Sequence, residues 1–273
     1  MRIEEDYFTG GGKVIFNENL PDIPKNMQSD IQGCLKDLQK KEPVSRRRHR
    51  KVVESKFMGE DVFVKSYSPH NADNIGDRLK CSSLSVSTAA REFDILLSLS
   101  DAGLPVVEPA AAIERSINFF LQESVIISFK EEGVEARKII SSPEIDLRQK
   151  RRIMEQAWHY LQKMHCAGIV DSDYKFRNFI YRKNSENNFD LILLDKERAR
   201  YSKSGLKKVK VWGKFIANWV NLLKESGQLD ADAAAREIKV YRVRAVKEQS
   251  MNFAEEMYLR YNIKRKLEPS LEI

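Results

Sequence analysis

Residues 171–178 read DSDYKFRN, so two carboxylates, a lysine, an arginine and a carboxamide fall within eight positions. Such a set suits phosphoryl transfer. That reaction asks a protein mainly for positioned charge: oxygen ligands for a divalent cation, a positive group on the phosphates, and a carboxylate that orients the attacking hydroxyl. The interval Asp173-x-Lys175-x-x-Asn178 is followed, at the end of the apolar run Leu191–Leu194, by a further carboxylate, Asp195. Upstream, Lys65 stands near the end of the stretch EDVFVKSY and Glu92 within a helical pattern, where the two can form an ion pair. Singly, each part has an ordinary reading. The downstream set can be a solvated loop beside a strand end, and the upstream pair an exposed salt bridge worth at most about 1 kcal/mol.

The elements that must position these residues are legible from periodicity. The first forty residues are polar and glycine-punctuated, with a short strand at KVIF and a helix at DIQGCLKDLQKK. SRRRHRKVVE and EDVFVKSY form a hairpin, in which Val62 and Val64 face one side and Phe63 and Lys65 the other. A helix over residues 87–100 is capped by Ser87 or Thr88, carries Phe93, Leu96, Leu97 and Ser100 at helical spacing, and closes at Gly103. LPVVEPAAAIE and INFFLQESVIISF read as two further strands, and residues 130–146 as a connector. A helix over residues 144–167 presents Ile153, Ala157, Tyr160, Leu161 and Met164 on one face and ends at Gly168. NFIY and FDLILLDKERAR flank a polar turn. From about residue 209 a helix places Trp212, Phe215, Ile216, Trp219, Val220 and Leu223 in a core, and two charged helices complete the chain. The expected class is therefore α+β, in one large domain or in two lobes, the latter comprising residues 1–129, an antiparallel sheet with one main helix, and residues 130–273, mostly helical.

Composition narrows the partners. The chain has 273 residues, 42% of them hydrophobic, enough for a sizeable core, and a net charge of +7 that favours anionic partners: nucleotides, phosphorylated sugars, nucleic acid or an acidic membrane face. Cys34, Cys81 and Cys166 are few, odd in number and widely separated, which supports neither a disulfide framework nor a zinc site and fits a reducing, cytoplasmic setting. The N-terminal stretch lacks the apolar segment of a signal peptide, and no run approaches the roughly 18 apolar residues of a membrane span. A soluble or peripheral protein is expected.

Strand lysine, helix glutamate, D-x-x-x-x-N and strand-end aspartate occur in the order used by the protein-kinase-like fold. More specifically, FVK with Lys65, AAREFDILLSLSDAGLPVVEP, LQKMHCAGIVDSDYKFRNFIY and LILLDKERAR resemble the lipopolysaccharide kinase family, over roughly residues 50–200 and in matching order. The resemblance implies that fold, in a bilobal form. It also implies ATP and Mg²⁺ as cofactors, and phosphorylation of a Kdo or heptose hydroxyl on a lipid-linked acceptor at the cytoplasmic side of the inner membrane. Carried over by position, it makes Asp173 the catalytic base, Asn178 and Asp195 the metal ligands, Lys65 the phosphate-binding lysine, Glu92 its partner, and Lys175 a cation that steadies the γ-phosphate.

The chain departs from the kinase pattern at several points. Asp171 and Ser172 stand where H-R precedes the catalytic aspartate, D-K-E replaces D-F-G, and only Gly59 is present where a glycine-rich loop would precede Lys65. Arg46, Arg47, Arg48, Arg50 and Lys51 offer cations in place of loop amides, or form a solvated charge run. His165 is expected to hydrogen-bond structurally and Asp171 to cap a turn. Lys203, Lys207, Lys208 and Lys210 offer electrostatic contact with anionic lipid, and no helix reads as apolar on one face and basic on the other. Competing readings are a protein Ser/Thr or small-molecule phosphotransferase, an inactive pseudokinase, and a basic nucleic-acid-binding module. No A-P-E segment follows Asp195 and no nucleic-acid motif is present, so a sugar or glycolipid acceptor is expected and nucleic acid is not.

Overall fold

The computed structural model of the protein describes residues 2–8, 12–17, 27–47, 50–68, 86–117, 120–185 and 188–267. Arg48, Cys81 and the side chains of Arg46 and Arg47, singled out above, lie outside the described residues. The chain divides into two compact units, Met1–Asp101 with Val106–Glu131, and Ala102–Pro105 with Glu132–Ile273.

The first unit holds strands β1 (Arg2–Phe8), β2 (Gly12–Asn17), β3 (Ser45–Arg47), β4 (Arg50–Phe57), β5 (Glu60–Tyr67), β6 (Pro109–Ile117) and β7 (Phe120–Phe129), with helices α1 (Met27–Lys40) and α2 (Thr88–Asp101). Among the described residues the strands form one antiparallel sheet in the order β1-β2-β6-β7-β5-β4-β3. The β4–β5 hairpin closes through Met58 (φ 53°) and Gly59 (φ 84°), both left-handed, so that Phe57 pairs with Glu60. Two such residues make the tight turn whose twist matches that of the flanking strands. Gly59 is thus a hairpin-turn glycine.

Alternation along β5 divides its work. Val62 and Val64 are fully buried in a cluster with Ile31, Cys34 and Leu38, the i, i+3, i+7 stripe of α1. Lys65 and Tyr67 therefore face the other side of the sheet, which α2 covers against β5, β6 and β7. Ser87 caps α2 by accepting from Ala90 N at 3.1 Å, and Leu99, not Ser100, carries its buried stripe to the end. The strand expected over 104–114 begins only at Pro109. Its first residues belong to the second unit, where Leu193 N donates to Pro105 O at 2.9 Å.

The second unit contains β8 (Val134–Glu135), α3 (Ala136–Ser141), α4 (Leu147–Cys166), β9 (Ile169–Asp171), a single 3-10 turn (Phe176–Asn178), β10 (Phe179–Ser185), β11 (Asn188–Leu193), β12 (Ala199–Tyr201), α5 (Gly205–Glu225), α6 (Ala231–Glu248) and α7 (Phe253–Lys266). Residues 130–146, expected as a plain connector, contribute β8 and α3, because β8 pairs with β10 and Ala136 and Ile140 are buried. The long helix starts at Leu147, where Asp146 accepts from Gln149 N at 2.8 Å, and α5 starts at Gly205 behind a Ser204 cap. The expected aromatic stripe of α5 is core. Phe176 and Phe215 ring centroids lie 5.0 Å apart and Trp158 and Trp212 4.2 Å, and all four side chains are fully buried. An α+β class, mixing helices with an antiparallel sheet, is what the sequence pattern predicts.

Candidate active site

In the first unit, β5 is an interior strand, pairing Val52 with Lys65 on one side and Lys65 with Ile126 on the other. Its parity directs Lys65 toward α2, where Lys65 Nζ donates to Glu92 Oε1 at 2.9 Å. Tyr67, two residues on and on the same face, donates from its hydroxyl to Glu92 Oε2 at 2.6 Å. Glu92 is 2% exposed and Lys65 15%, so the surface-pair reading does not describe this contact. A buried carboxylate is tolerated here because two donors of β5, the Lys65 ammonium and the Tyr67 hydroxyl, satisfy its two oxygens.

In the second unit, the opening motif has a two-residue alternation. Tyr174, Phe176 and Asn178 are buried, and Asp173, Lys175 and Arg177 lie between them at intermediate exposure. Tyr174 donates its hydroxyl to Ala157 O at 2.6 Å and sits edge-on to Phe179 and Phe215, each at 5.1 Å. Phe176 N donates to Asn218 Oδ1 at 3.2 Å. These anchors hold the loop so that its three charges share one side. Lys175 Nζ lies 2.6 Å from Asp173 Oδ1 and Arg177 3.1 Å from Oδ2. Burial raises the Asp173 carboxyl, but the hydrogen bond and charge of Lys175, with Arg177 and Asn178, more than offset it and leave the group below the usual carboxylate range.

Asn178 connects the loop to the strand end. Its Nδ2 donates to Asp173 O at 2.8 Å, and its carbonyl accepts from Leu194 N at 2.9 Å. The second bond continues the β10–β11 register, in which Phe179 pairs with Leu193, and so brings Asp195 to the same end of the hairpin as Asn178. Asp195 itself has a left-handed backbone (φ 51°), a conformation aspartate tolerates better than most residues and one that collects at functional positions.

With Nδ2 committed to the Asp173 carbonyl, the Asn178 carboxamide oxygen and the Asp195 carboxylate would be the two donors for a cation at this end of the hairpin. Among the described residues no group of three or more His, Cys, Asp or Glu side chains is arranged to hold a metal. Two oxygen donors fit Mg²⁺, which is commonly bound through one or two protein ligands, with phosphate and water completing the shell. The donor set is chemically suited to that ion and not to a closed all-protein cage.

Several contributors escaped the sequence reading. Arg177, four residues after Asp173, was in view within the motif but given no task. Lys196 pairs with Asp171 at 2.9 Å with both side chains fully buried, so Asp171 does more than cap the turn by accepting from Asp173 N at 2.8 Å. Lys214, from α5, donates to Ser172 O at 3.1 Å, and burial first, then Lys210 and Lys266, lowers its pKa. No local signal links Lys214 to the loop. The hydrogen-bonding role expected of the His165 side chain is not found. Neither imidazole nitrogen has a hydrogen-bond partner among the described residues, the ring meets Trp212 edge-on at 5.7 Å, and burial, with the Lys208 charge, pushes its pKa from 6.5 to about 3. Lys208 donates to the His165 carbonyl at 2.8 Å, which ties one of the supposed lipid-facing lysines to the protein.

The fold has a counterpart among solved structures. A structure described as WaaP in complex with acyl carrier protein matches with a TM-score of 0.62 over 93% of this chain and 99% of that one, at 16% identity, a likeness of fold that agrees with the protein-kinase-like architecture. No curated protein matches the sequence. The sequence profile of the lipopolysaccharide kinase (Kdo/WaaP) family matches residues 36–211, a span that includes Lys65, Glu92 and the entire 171–195 constellation, and the chain belongs to that family.

Proposed function

We propose that the protein transfers the γ-phosphoryl group of ATP to a hydroxyl of a lipopolysaccharide inner-core sugar, Kdo or heptose. The observation that carries this reading is the Asn178 link, which ties the Asp173 loop to the strand end bearing Asp195 in a member of a lipopolysaccharide kinase family. Bound Mg²⁺-ATP supplies the electrophilic phosphorus and neutralises charge on the phosphates. Asn178 Oδ1 and the Asp195 carboxylate would hold the metal, and Lys65, aimed by Glu92, would bind nucleotide phosphate.

Asp173 orients the acceptor hydroxyl and takes its proton at Oδ1 as the hydroxyl oxygen bonds to phosphorus and the bond to ADP breaks. Lys175 now rests on that oxygen. With nucleotide bound it turns to the γ-phosphate, which frees Oδ1, while Arg177 keeps Oδ2 in place. Only nine residues separate Asp195 from α5, and three of them form β12 against β9. So short a connection favours a sugar acceptor over a protein substrate, which kinases seat on a longer segment at this point.

The test is Mg²⁺-dependent ATP turnover with Kdo- and heptose-containing acceptors. Asp173→Asn should lower the rate by about 10²- to 10⁴-fold. An unchanged rate would end the assignment, and ATP binding without turnover on any acceptor would make the protein a pseudokinase.

A lipid-linked acceptor calls for contact with the cytoplasmic face of the inner membrane, although no helix among the described residues is long and apolar enough to cross a bilayer. The outward stripe of α7 supports peripheral docking. Phe253, Met257 and Tyr261, at i, i+4 and i+8, are 79%, 47% and 56% exposed, and Arg260 and Lys264 lie in the same stripe. Apolar side chains rimmed by cations suit an anionic interface. The protein should sediment with anionic but not neutral vesicles, and Lys264→Ser should weaken this about fivefold, given roughly 1 kcal/mol per charge. Retention of a carrier protein in place of vesicles would give the face a protein occupant of the kind present in the WaaP complex.

A further inference from the structure

Two departures from the kinase pattern, Asp171 before the catalytic aspartate and Lys196 after the metal-binding one, meet as one buried ion pair. We propose that this pair is a positioning device that locks the segment bearing the base to the segment bearing the metal ligand; it rests on the phosphotransferase reading above. Both Asp171 oxygens are engaged: Oδ1 accepts from Asp173 N at 2.8 Å and Oδ2 from Lys196 Nζ at 2.9 Å. The carboxylate therefore sets the backbone of Asp173 directly and reaches the immediate neighbour of Asp195.

Lys196 is held from its other end too. Its carbonyl accepts from Ala199 N at 3.0 Å, and Ala199 pairs with Asp171 in the β9–β12 ladder. Asp171, Lys196 and Ala199 thus close a small ring that starts one residue after Asp195. A covalent neighbour anchored at both side chain and carbonyl leaves Asp195 little freedom to leave its left-handed backbone conformation. Lys196 Nζ also lies 5.5 Å from the centroid of the Tyr174 ring, whose hydroxyl is fixed on the α4 backbone, so the ring is braced against the long helix.

Stability alone does not account for such a pair. Desolvating two charges costs about what their attraction returns, and apolar replacement of a buried pair is often neutral or stabilising. What the pair supplies, and apolar side chains cannot, is a directional acceptor for one chosen N–H and a fixed link between two segments 25 positions apart. Positioning at that level matters to rate, because a misplacement of about 1 Å in a reacting group can cost about 10²-fold.

The experiment compares wild type, Lys196→Met, Lys196→Arg and the apolar double variant Asp171→Leu/Lys196→Met. It measures kcat and KM for ATP and sugar acceptor, the thermal midpoint, and hydrogen exchange of residues 171–178 in the nucleotide-free protein. We expect Lys196→Met and the double variant to lose about 10²-fold in kcat, with KM changed less than about threefold. Exchange at Asp173 N should rise in the double variant while its thermal midpoint recovers to that of wild type. Lys196→Arg, which keeps a cation for Asp171, should retain kcat to within about tenfold.

A folded double variant with kcat within about threefold of wild type would overturn the proposal, because a purely structural pair predicts that activity returns with stability. If the double variant does not fold, Lys196→Met decides by its kcat, a value within about threefold of wild type counting against the pair. Wild-type protein that transfers no phosphate to any acceptor would sink the phosphotransferase reading itself, and the pair's role with it, an outcome distinct from active but insensitive variants.

Discussion

Asp173 shows how much of the chemistry is set by immediate neighbours. A carboxylate flanked at i+2 and i+4 by cations is kept ionised, and the alternation that buries Tyr174, Phe176 and Asn178 keeps all three charged groups on one side. The clustering of Asp173, Lys175 and Asn178 and the strand-end position of Asp195 were legible because spacing carries this information: eight positions of one loop and the end of an apolar strand. Lys196 and Lys214 were not, since their partners stand 25 and 42 positions away. The Lys65–Glu92 pair was legible in order but not in burial. Lys65→Met removes a cation from a carboxylate only 2% exposed. Breaking such a pair costs about 3–5 kcal/mol, and because Lys65 retains some solvent access the low end, about 3 kcal/mol, is expected. Urea denaturation of the two proteins measures it. A midpoint unchanged from wild type would return the pair to the status of a surface contact.

At the scale of elements, helices and strands with one apolar stripe or strict alternation were read correctly, and those whose pattern serves two masters were not. Helix α7 buries Leu259 and Ile263 against α5, where Gly213 permits the close approach, yet exposes Phe253, Met257 and Tyr261 on the opposite face. Apolar residues on both sides cancel in a periodicity reading, so the outward stripe of Phe253, Met257 and Tyr261 leaves no signal in the sequence. Strand β8 was missed for a related reason: two residues carry no period. It is placed by Gly133, whose φ of 137° is closed to other residues and whose added Cβ would meet Ile180 Cγ2 and lie 2.6 Å from Tyr181 O. Gly133→Ala should therefore destabilise the second unit by roughly 2–3 kcal/mol, combining backbone strain with overpacking. Thermal unfolding checks this, and a midpoint within about a degree of wild type would show that the β8–β10 pairing carries no weight.

For the molecule as a whole, pH offers a test of packing. His165 is neutral when folded, with its pKa at about 3 against 6.5 in an open chain. Below its ordinary pKa the unfolded chain binds a proton that the folded chain refuses. The contribution is therefore fully present above pH 6.5 and is lost as pH falls toward 3, at about 1.4 kcal/mol per pH unit. Between about pH 7 and about pH 5, wild type should lose roughly 2 kcal/mol more than His165→Leu, as urea titrations at the two values would show. Equal losses would mean that the imidazole is hydrated in the folded state. The same residue marks the boundary of what a sequence says. By itself the chain determined its α+β class, most of its helices and strands, the parity of Lys65 and the spacing of Asp173, Asn178 and Asp195, because each depends on contacts a few positions long or on one hairpin register. Only the tertiary structure decided that the His165 ring has no hydrogen-bond partner among the described residues, that Asp171 and Lys196 meet, that Lys214 reaches the loop, and which stripe of α7 faces water. Those outcomes depend on which surfaces distant elements bury against one another, and burial, unlike periodicity, is a property of the assembled core.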